Sequence, residues 1–329
     1  MSSAIAMRSE LEIPEAPQYL AIAAISHVRG QLILPTFLRG GTVHLLKRFD
    51  PTEVLETIVE ERITMTLMVP TMIYKVLQMP LEQYDLSSLE LVVYAVSVIA
   101  PDRLAEAISR MGSIFSQVYA QTECTPIAVL RKSDHSLDEP DTLQSCGFAV
   151  AVANVRVLDV SGQEQPRGTV GELCVRSPSV MQEYQGQPEM TAETLEGGWL
   201  HTGDLGYIDA TGRIFIVDRK KDMIVSGGFN VYPREVEDAL ATHPAVNSSA
   251  AYGVPHAQWG EAVWASVVLR TGAHADAETL ISHVRGLKGP LFAPKNIVFT
   301  EHLPTTPFGK VDKKALRAPH WEGRDRAVS

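Results

Sequence analysis

The sequence predicts an α/β protein built in three successive parts, and three observations support this. In residues 1–145 short apolar runs alternate with helical patterns, an order typical of a parallel sheet covered by helices. Residues 146–220 are dominated by strand-like runs between Gly and Pro turns, which predicts a small β-barrel-like subdomain. Residues 221–329 mix helix and strand patterns and are long enough for a compact α+β domain.

The first part contains a repeated strand and helix pattern. A buried strand is expected from Tyr19, and Asp50-Pro51-Thr52-Glu53 predicts a helix start with a capping side chain and Pro at the first position. Pro101-Asp102 opens another helix, expected to end at Met111. The further strands predicted here are 42–46, 63–68, 89–94 and 113–118.

The second and third parts are predicted from shorter apolar runs. Pro233, with Glu235 in the first turn, marks the start of a helix that His243-Pro244 ends. The predicted strands are 155–158, 171–175, 213–217, 248–253, 263–269 and 297–299, and a further helix is predicted at 277–285.

Composition restricts the class of protein. An apolar content of 45%, a charged content of 21% and a net charge of −10 indicate a globular protein without a nucleic-acid-binding surface. Cys124, Cys146 and Cys174 are odd in number and lack zinc-ligand spacing, which favours the reducing cytoplasm. The sequence contains no run of 18 apolar residues, so no transmembrane segment is predicted. The charged N-terminus lacks the apolar centre that is typical of a signal peptide.

The stretch from Gly198 to Asp238 carries the most specific pattern. It contains Thr-Gly-Asp at 202–204, an apolar strand that runs into Asp-Arg-Lys-Lys-Asp at 218–222, and Ser-Gly-Gly-Phe-Asn-Val-Tyr-Pro at 226–233. Each piece alone is typical of a strand, loop and helix connection with a polar surface, and the charges at 218–222 are expected to be too polar for a core. Together they resemble the adenylate-forming (AMP-binding) superfamily, which includes acyl-CoA synthetases, nonribosomal adenylation domains and luciferases.

The resemblance implies an acyl-CoA synthetase. Such an enzyme joins a carboxylic acid to ATP, releasing pyrophosphate and giving acyl-AMP, and then transfers the acyl group to CoA; Mg²⁺ is the implied metal. Transfer to a carrier-protein thiol is the alternative within this class. A non-catalytic relic that binds a nucleotide, an acyl-adenylate or a partner protein is the alternative outside it.

Tyr119-Ala120-Gln121-Thr122-Glu123 matches the family's Tyr-Gly-x-Thr-Glu pattern, with Ala in place of the usual Gly. The resemblance implies that Tyr119 and Gln121 belong to the nucleotide site, that Thr122 contacts the α-phosphate and that Glu123 holds Mg²⁺. These roles suit the chemistry, because a hydroxyl donates to phosphate oxygen and a hard cation prefers carboxylate oxygen. A Thr-Glu pair on a loop at a strand end is the plainer interpretation.

The resemblance also assigns the residues around the central stretch. Asp204 would accept hydrogen bonds from both ribose hydroxyls, with Arg219 beside it, because a carboxylate offers two acceptor oxygens. Lys221 would be the hinge before a mobile C-terminal domain, and Gly227 and Gly228 would line the CoA tunnel.

Two further sites follow from the resemblance. Lys310, in Pro304-Thr305-Thr306-Pro307-Phe308-Gly309-Lys310, would be the catalytic lysine that stabilises charge during adenylation; a solvated basic tail is the alternative. The residues expected at the acyl pocket are His27, Tyr94, Ala95, Val96 and Ser97. The last four occupy a loop that is usually rich in Gly and Ala in the family, and the bulkier Ala95, Val96 and Val98 predict a smaller or reshaped pocket. A satisfied interior position is the alternative for His27.

The family's Ser/Thr/Gly-rich phosphate loop, which ends in Pro-Lys-Gly, does not occur in these 329 residues. The resemblance begins just after the place where that loop would end, so we expect the N-terminal third of a full-length member to be missing and the parallel sheet to be incomplete. A fragment that is inactive alone in ATP–pyrophosphate exchange is expected, and complementation by a separate N-terminal chain is the alternative.

Overall fold

The computed structural model describes residues 1–22, 25–26, 28–96, 99–306 and 311–322, without the side chains of residues 140 and 141. It divides into two compact units. The first comprises Met1–Thr202 and Gly206–Ile216, and the second comprises Gly203–Leu205 and Val217–Ser329. The predicted three-part division, with boundaries at 145/146 and 220/221, stays a prediction.

A mixed sheet forms the centre of the first unit, and within the described residues it has seven strands in the order β2-β1-β3-β4-β5-β6-β7. The first five pair in parallel and the last two are antiparallel. The strands are β1 Gln18–Ile22, β2 Thr42–Leu46, β3 Met65–Met68, β4 Leu91–Tyr94, β5 Phe115–Gln121, β6 Cys124–Leu130 and β7 Phe148–Ala149. The α-helices are α1 Ser2–Glu10, α2 Ile33–Leu38, α3 Pro51–Glu60, α4 Pro70–Leu77 and α5 Pro101–Met111.

Both faces of this sheet are buried, as expected for parallel strands between helices. Along β1, Leu20 and Ile22 pack in one apolar cluster, and Tyr19 and Ala21 pack in another. Local signals set the helix starts: the Oδ1 atom of Asp50 accepts hydrogen bonds from the first-turn amides of α3 at 3.0 and 3.1 Å. The predicted α/β class is therefore confirmed.

Strand β6 was absent from the sequence prediction. All seven of its residues are buried, and it pairs antiparallel with β5 through a two-residue turn at Thr122-Glu123, where Gln121 lies opposite Cys124. A Thr-Glu turn carries none of the Asn-Gly or Asp-Gly signals by which hairpins are recognised in sequences.

A second, antiparallel sheet has the order β11-β10-β9-β8 in the described chain. Its strands are β8 Asn154–Leu158, β9 Gly171–Arg176, β10 Leu200–Ile208 and β11 Ile214–Arg219, and helix α6 Pro188–Thr194 lies between β9 and β10 in the chain. The Thr202-Gly203-Asp204 segment, a common turn sequence, lies inside strand β10.

The second unit is an α+β domain whose described sheet has the order β13-β12-β15-β14, with β16 parallel to β15. Its strands are β12 Ile224–Ser226, β13 Phe229–Val231, β14 Val246–His256, β15 Gly260–Leu269 and β16 Asn296–Phe299. Its α-helices are α7 Pro233–Ala241, α8 Ala277–Lys288 and α9 Lys313–Arg317. Strands β14 and β15 are longer than predicted because they pair along their whole length as one hairpin.

Charged side chains connect α9 to α7 in this unit. The Nζ atom of Lys313 lies 2.8 Å from Oε1 of Glu237, and the two side chains are only 16% and 22% exposed. Burial alone would lower the pKa of Lys313, but the carboxylates of Glu237, Asp218 and Asp222 outweigh it and raise the pKa. The ammonium is therefore held in its charged form by the surrounding carboxylates.

The expectation that the charged segment 218–222 stays out of the core is wrong for Asp218. This residue is 8% exposed, and its carboxylate accepts hydrogen bonds from the backbone N–H groups of Arg219 at 2.7 Å and Arg234 at 2.9 Å. Arg234 is the second residue of α7, so Asp218 satisfies an amide that the helix itself leaves without a partner. The next three residues, 219–221, are exposed, as expected.

The connection after β4 contains a strained residue. Val96 has a φ of 82°, a left-handed conformation that β-branched side chains rarely adopt.

No membrane-spanning candidate occurs in this fold: none of the helices in the described ranges has the length and apolar content needed to cross a bilayer.

We expect Val96→Gly to stabilise the first unit by about 1 kcal/mol. Removing the left-handed strain should lower the free energy of the folded state by about 1–2 kcal/mol. This gain exceeds the loss of about 0.5–1 kcal/mol that comes from the greater conformational entropy of glycine in the unfolded chain. Urea unfolding measures the change. Val59→Gly is the control, since Val59 is similarly exposed, 38% against 41%, but lies in α3, where glycine should destabilise by about 1 kcal/mol. Equal losses in both variants would show that Val96 is unstrained.

We expect Lys313→Met to destabilise the second unit by about 2–3 kcal/mol, because it leaves the Glu237 carboxylate without its cation; fully buried pairs lose about 3–5 kcal/mol. Denaturation followed by tryptophan fluorescence suits the test, as Trp259, Trp264 and Trp321 lie in this unit. Lys314→Met, at the exposed neighbouring lysine, should cost less than about 0.5 kcal/mol.

The same pair predicts a pH dependence. A raised folded-state pKa contributes stability that is fully present below the unfolded pKa of about 10.4 and is lost as the pH rises through the folded value. The stability difference between the parent chain and Lys313→Met should therefore be constant from about pH 7 to 9 and shrink only above about pH 10.5. A difference that shrinks between about pH 7 and 9 would contradict a charged, carboxylate-held lysine.

Candidate functional site

A buried carboxylate and an exposed guanidinium meet on adjacent strands of the second sheet. Asp204 in β10 is 3% exposed, and the Nε atom of Arg219, the last residue of β11, lies 3.1 Å from its Oδ1 atom. The Arg219 side chain is 47% exposed. Strand pairing thus brings together the two residues that the sequence analysis assigned to the ribose. An anchored carboxylate of this kind can accept hydrogen bonds from a vicinal diol.

The predicted phosphate residues lie at the β5–β6 turn of the first unit. Thr122 is exposed and Glu123 is half-buried. Gln121 precedes them on β5, and its Nε2 atom donates to the carbonyl of Thr202 at 2.8 Å. Tyr119 is 6% exposed and packs in an apolar cluster. The turn therefore presents a hydroxyl and a carboxylate side by side on a rigid hairpin.

Tyr184 is a contact of this turn that the sequence analysis missed. Its hydroxyl donates to Oε1 of Glu123 at 2.6 Å, and the backbone carbonyl of Glu123 accepts from the N–H of Met181 at 2.7 Å. Burial and the hydrogen bond to the Glu123 carboxylate raise the pKa of Tyr184 to about 12, so the phenol keeps its proton and orients the carboxylate. The two residues are 61 positions apart, and no local pattern links them.

Glu123 suits the Mg²⁺ that the family resemblance implies. A hard divalent cation prefers oxygen ligands, and Glu123 supplies a carboxylate whose orientation Tyr184 fixes through one oxygen. An ion bound by one carboxylate and by phosphate oxygens is the usual arrangement for magnesium at a nucleotide.

The described residues of the predicted acyl pocket are the last residue of β4, Tyr94, and the two that follow it, Ala95 and Val96. Strands β4 and β5 are parallel neighbours, so Ala95 and Val96 leave the sheet at the same edge as the β5–β6 turn. Tyr94 is fully buried, and its hydroxyl lies 3.0 Å from Nε2 of His135, whose Nδ1 lies 2.7 Å from the carbonyl of Arg131. Burial lowers the pKa of His135, which favours a neutral ring that donates to that carbonyl and accepts from Tyr94.

The remaining predicted residues are distributed as follows. Lys221 is exposed, and its backbone carbonyl accepts a hydrogen bond from Nη1 of Arg317 at 3.3 Å. Nη1 of Arg317 also lies 2.9 Å from Oδ1 of Asp222. Gly227 and Gly228, with φ of 61° and 83°, form the two-residue turn between β12 and β13, a conformation that requires residues tolerant of positive φ. His27, Ser97 and Lys310 lie outside the described residues.

Comparison with known proteins places these features in a family. A model of the AMP-binding enzyme family matches residues 1–185, and a model of the AMP-binding enzyme C-terminal domain matches residues 235–310. The medium/long-chain-fatty-acid–CoA ligase FadD8 of Mycobacterium tuberculosis is 46% identical over 97% of this chain and 57% of its own length. A feruloyl-CoA synthase of Amycolatopsis is 37% identical over 94% of this chain and 62% of its own.

Solved structures agree with the family match. The amide bond synthetase McbA from Marinactinospora thermotolerans superposes with a TM-score of 0.90 at 40% identity, covering 96% of this chain and 63% of its own. ATP-bound MatB from Rhodopseudomonas palustris gives 0.87 at 30% identity, with 97% and 63% covered. The chain thus spans about three fifths of the length of these relatives, and on these matches it belongs to the AMP-binding enzyme family of adenylate-forming ligases.

Proposed function

We propose that these residues serve an AMP-forming acid–thiol ligase, which joins a carboxylic acid to CoA through an acyl-AMP intermediate. The buried Asp204 carboxylate, held by Arg219 at 3.1 Å, is the observation that carries the proposal. A carboxylate kept at 3% exposure beside an exposed guanidinium is suited to a polar ligand that supplies hydroxyl donors. The relatives named as CoA ligases support a thiol as the acceptor.

In this proposal each polar group acts on one part of the nucleotide. Asp204 accepts hydrogen bonds from the ribose hydroxyls, and Arg219, 3.1 Å away, keeps the carboxylate oriented. Thr122 donates its hydroxyl to the α-phosphate, while Tyr119 and Gln121 complete the nucleotide site. When bound, Mg²⁺ would offset phosphate charge, and Glu123 would be its carboxylate ligand, oriented by Tyr184.

The other assignments stay proposals of the same kind. Lys310 would stabilise charge during adenylation, and the acyl group would lie beside the segment after β4 and His27. Lys221 would be the hinge, with Arg317 fixing the backbone on its C-terminal side, and Gly227-Gly228 would line the CoA tunnel. The cysteines are buried and form no disulfide, which favours a reducing cytoplasmic location.

Amide formation is the second candidate function. The named amide bond synthetase is 40% identical with a TM-score of 0.90, so an amine is an alternative acceptor for the same acyl-AMP. The two candidates share the acyl-AMP and differ only in the nucleophile that attacks it. Supplying the acyl-AMP directly therefore separates them.

The test starts from synthetic acyl-AMP with medium-chain, long-chain and aromatic acyl groups. We expect the chain to accelerate thioester formation with CoA above the uncatalysed rate, measured by chromatography of acyl-CoA. Faster amide formation with a primary amine would favour the second candidate. Binding of acyl-AMP without any transfer would contradict both ligase activities and favour the non-catalytic alternative.

We expect Asp204→Ala to weaken AMP binding at least tenfold in isothermal titration. Loss of a hydrogen bond to a charged group costs about 1.5–3 kcal/mol, and 1.4 kcal/mol corresponds to tenfold. Asp138→Ala is the matched control, because Asp138 is an exposed aspartate outside the site. If AMP binds and Asp204→Ala leaves the affinity unchanged, the ribose assignment is wrong.

A further inference from the structure

Three different metal-ligand side chains converge in the second sheet, within the first unit. Glu172 and Cys174 are two positions apart on β9, so they lie on the same face of the sheet, and His201 lies on the neighbouring strand β10. Nδ1 of His201 is 3.5 Å from Sγ of Cys174 and 3.2 Å from Oε2 of Glu172. All three ligand atoms lie within 4.8 Å of one another.

Two of the three donor–donor distances suit a tetrahedral metal site, and the third pair, Sγ of Cys174 and the Glu172 carboxylate, lies within 4.8 Å. Zinc binds sulfur at about 2.3 Å, imidazole nitrogen at about 2.0–2.1 Å and carboxylate oxygen at about 2.0–2.2 Å. Tetrahedral angles then place neighbouring donor atoms about 3.3–3.6 Å apart. The observed sulfur–nitrogen and nitrogen–oxygen distances of 3.5 and 3.2 Å are at or near this range.

The charge and burial of the cluster also suit a divalent ion. A thiolate and a carboxylate together neutralise two positive charges, so the occupied site would carry no net charge in a poorly hydrated place. Cys174 is fully buried beside Leu158 and Trp199, whereas the side chains of Glu172 and His201 are 11% and 25% exposed. In the occupied site a water would be the fourth ligand.

Hydrogen bonding is the other interpretation of this geometry. Nδ1 of His201 lies 3.5 Å from Sγ of Cys174 and 3.2 Å from Oε2 of Glu172, and both distances also suit hydrogen bonds. A cation at the centre satisfies sulfur, nitrogen and oxygen together. The cysteines lack zinc-ligand spacing in the sequence, whereas the ligands here are of three kinds and come together through strand pairing.

We propose that Glu172, Cys174 and His201 form a binding site for a zinc-like divalent ion, with three protein ligands and one open position. The ion would cross-link β9 and β10 and stabilise the sheet. This proposal is independent of the ligase activity, and no catalytic step requires the ion.

Cobalt(II) titration of the metal-stripped chain tests the site, because cobalt reports its ligands by absorption. We expect a thiolate-to-cobalt charge-transfer band and intense tetrahedral bands at one ion per chain, both removed by added Zn²⁺. Cys174→Ser should abolish the charge-transfer band and weaken cobalt binding at least 100-fold. Cys146→Ser is the matched control, since Cys146 is an equally buried cysteine of the first unit outside the cluster, and it should retain the band.

A second measurement keeps the proposal testable if Cys174→Ser folds poorly. Glu172→Gln and His201→Asn are polar replacements, and each should weaken Zn²⁺ binding at least tenfold. Because an ion that binds the folded chain raises its Tm, each variant should also show a smaller rise in Tm when Zn²⁺ is added. Circular dichroism of the metal-free variants checks folding. Absence of a charge-transfer band in the parent chain, or unchanged affinity in the folded ligand variants, would overturn the proposal and leave a hydrogen-bonded cluster.

Discussion

Burial of the Asp218 carboxylate is the constraint on which the second unit depends. A buried carboxylate is costly unless N–H donors or cations surround it. The Asp218 carboxylate accepts hydrogen bonds from the backbone N–H groups of Arg234, at the start of α7, and of Arg219. It also interacts electrostatically with the Lys313 ammonium, which pairs with Glu237. The end of β11, the start of α7 and helix α9 are thus joined around one carboxylate.

The proposed nucleotide site depends on the same arrangement. Arg219 follows Asp218 directly, and its backbone N–H is bound to the Asp218 carboxylate at 2.7 Å. With its backbone held in this way, Arg219 extends its side chain to Asp204 at 3.1 Å. A charge-rich segment that resembles a solvated loop therefore has one buried anchor, which is followed by exposed residues through Lys221. The Lys221 carbonyl in turn accepts a hydrogen bond from Arg317 at 3.3 Å.

In the first unit, parallel strand order brings separate motifs to one edge of the sheet. The segment after β4 and the β5–β6 turn emerge together because β4 and β5 are parallel neighbours. Rigid pairing holds Thr122 and Glu123, and Tyr184 adds a fixed hydrogen bond to the carboxylate. A carboxylate held in this way needs little rearrangement to bind the Mg²⁺ proposed above.

Features that are set within one turn or one strand could be predicted from the amino-acid sequence. Signals a few residues long predict the Asp50 cap, the helix starts at Pro in α3, α5 and α7, and strand β2. The family motifs likewise identified the Asp204 and Arg219 pair. Features that depend on distant pairing become visible in the folded chain alone: strand β6, the burial of Asp218, the contact of Tyr184 with Glu123, and the contact of Cys174 with His201. The physical reason is that caps and alternation act over local separations, whereas burial and side-chain contacts are set by which strands and helices lie side by side.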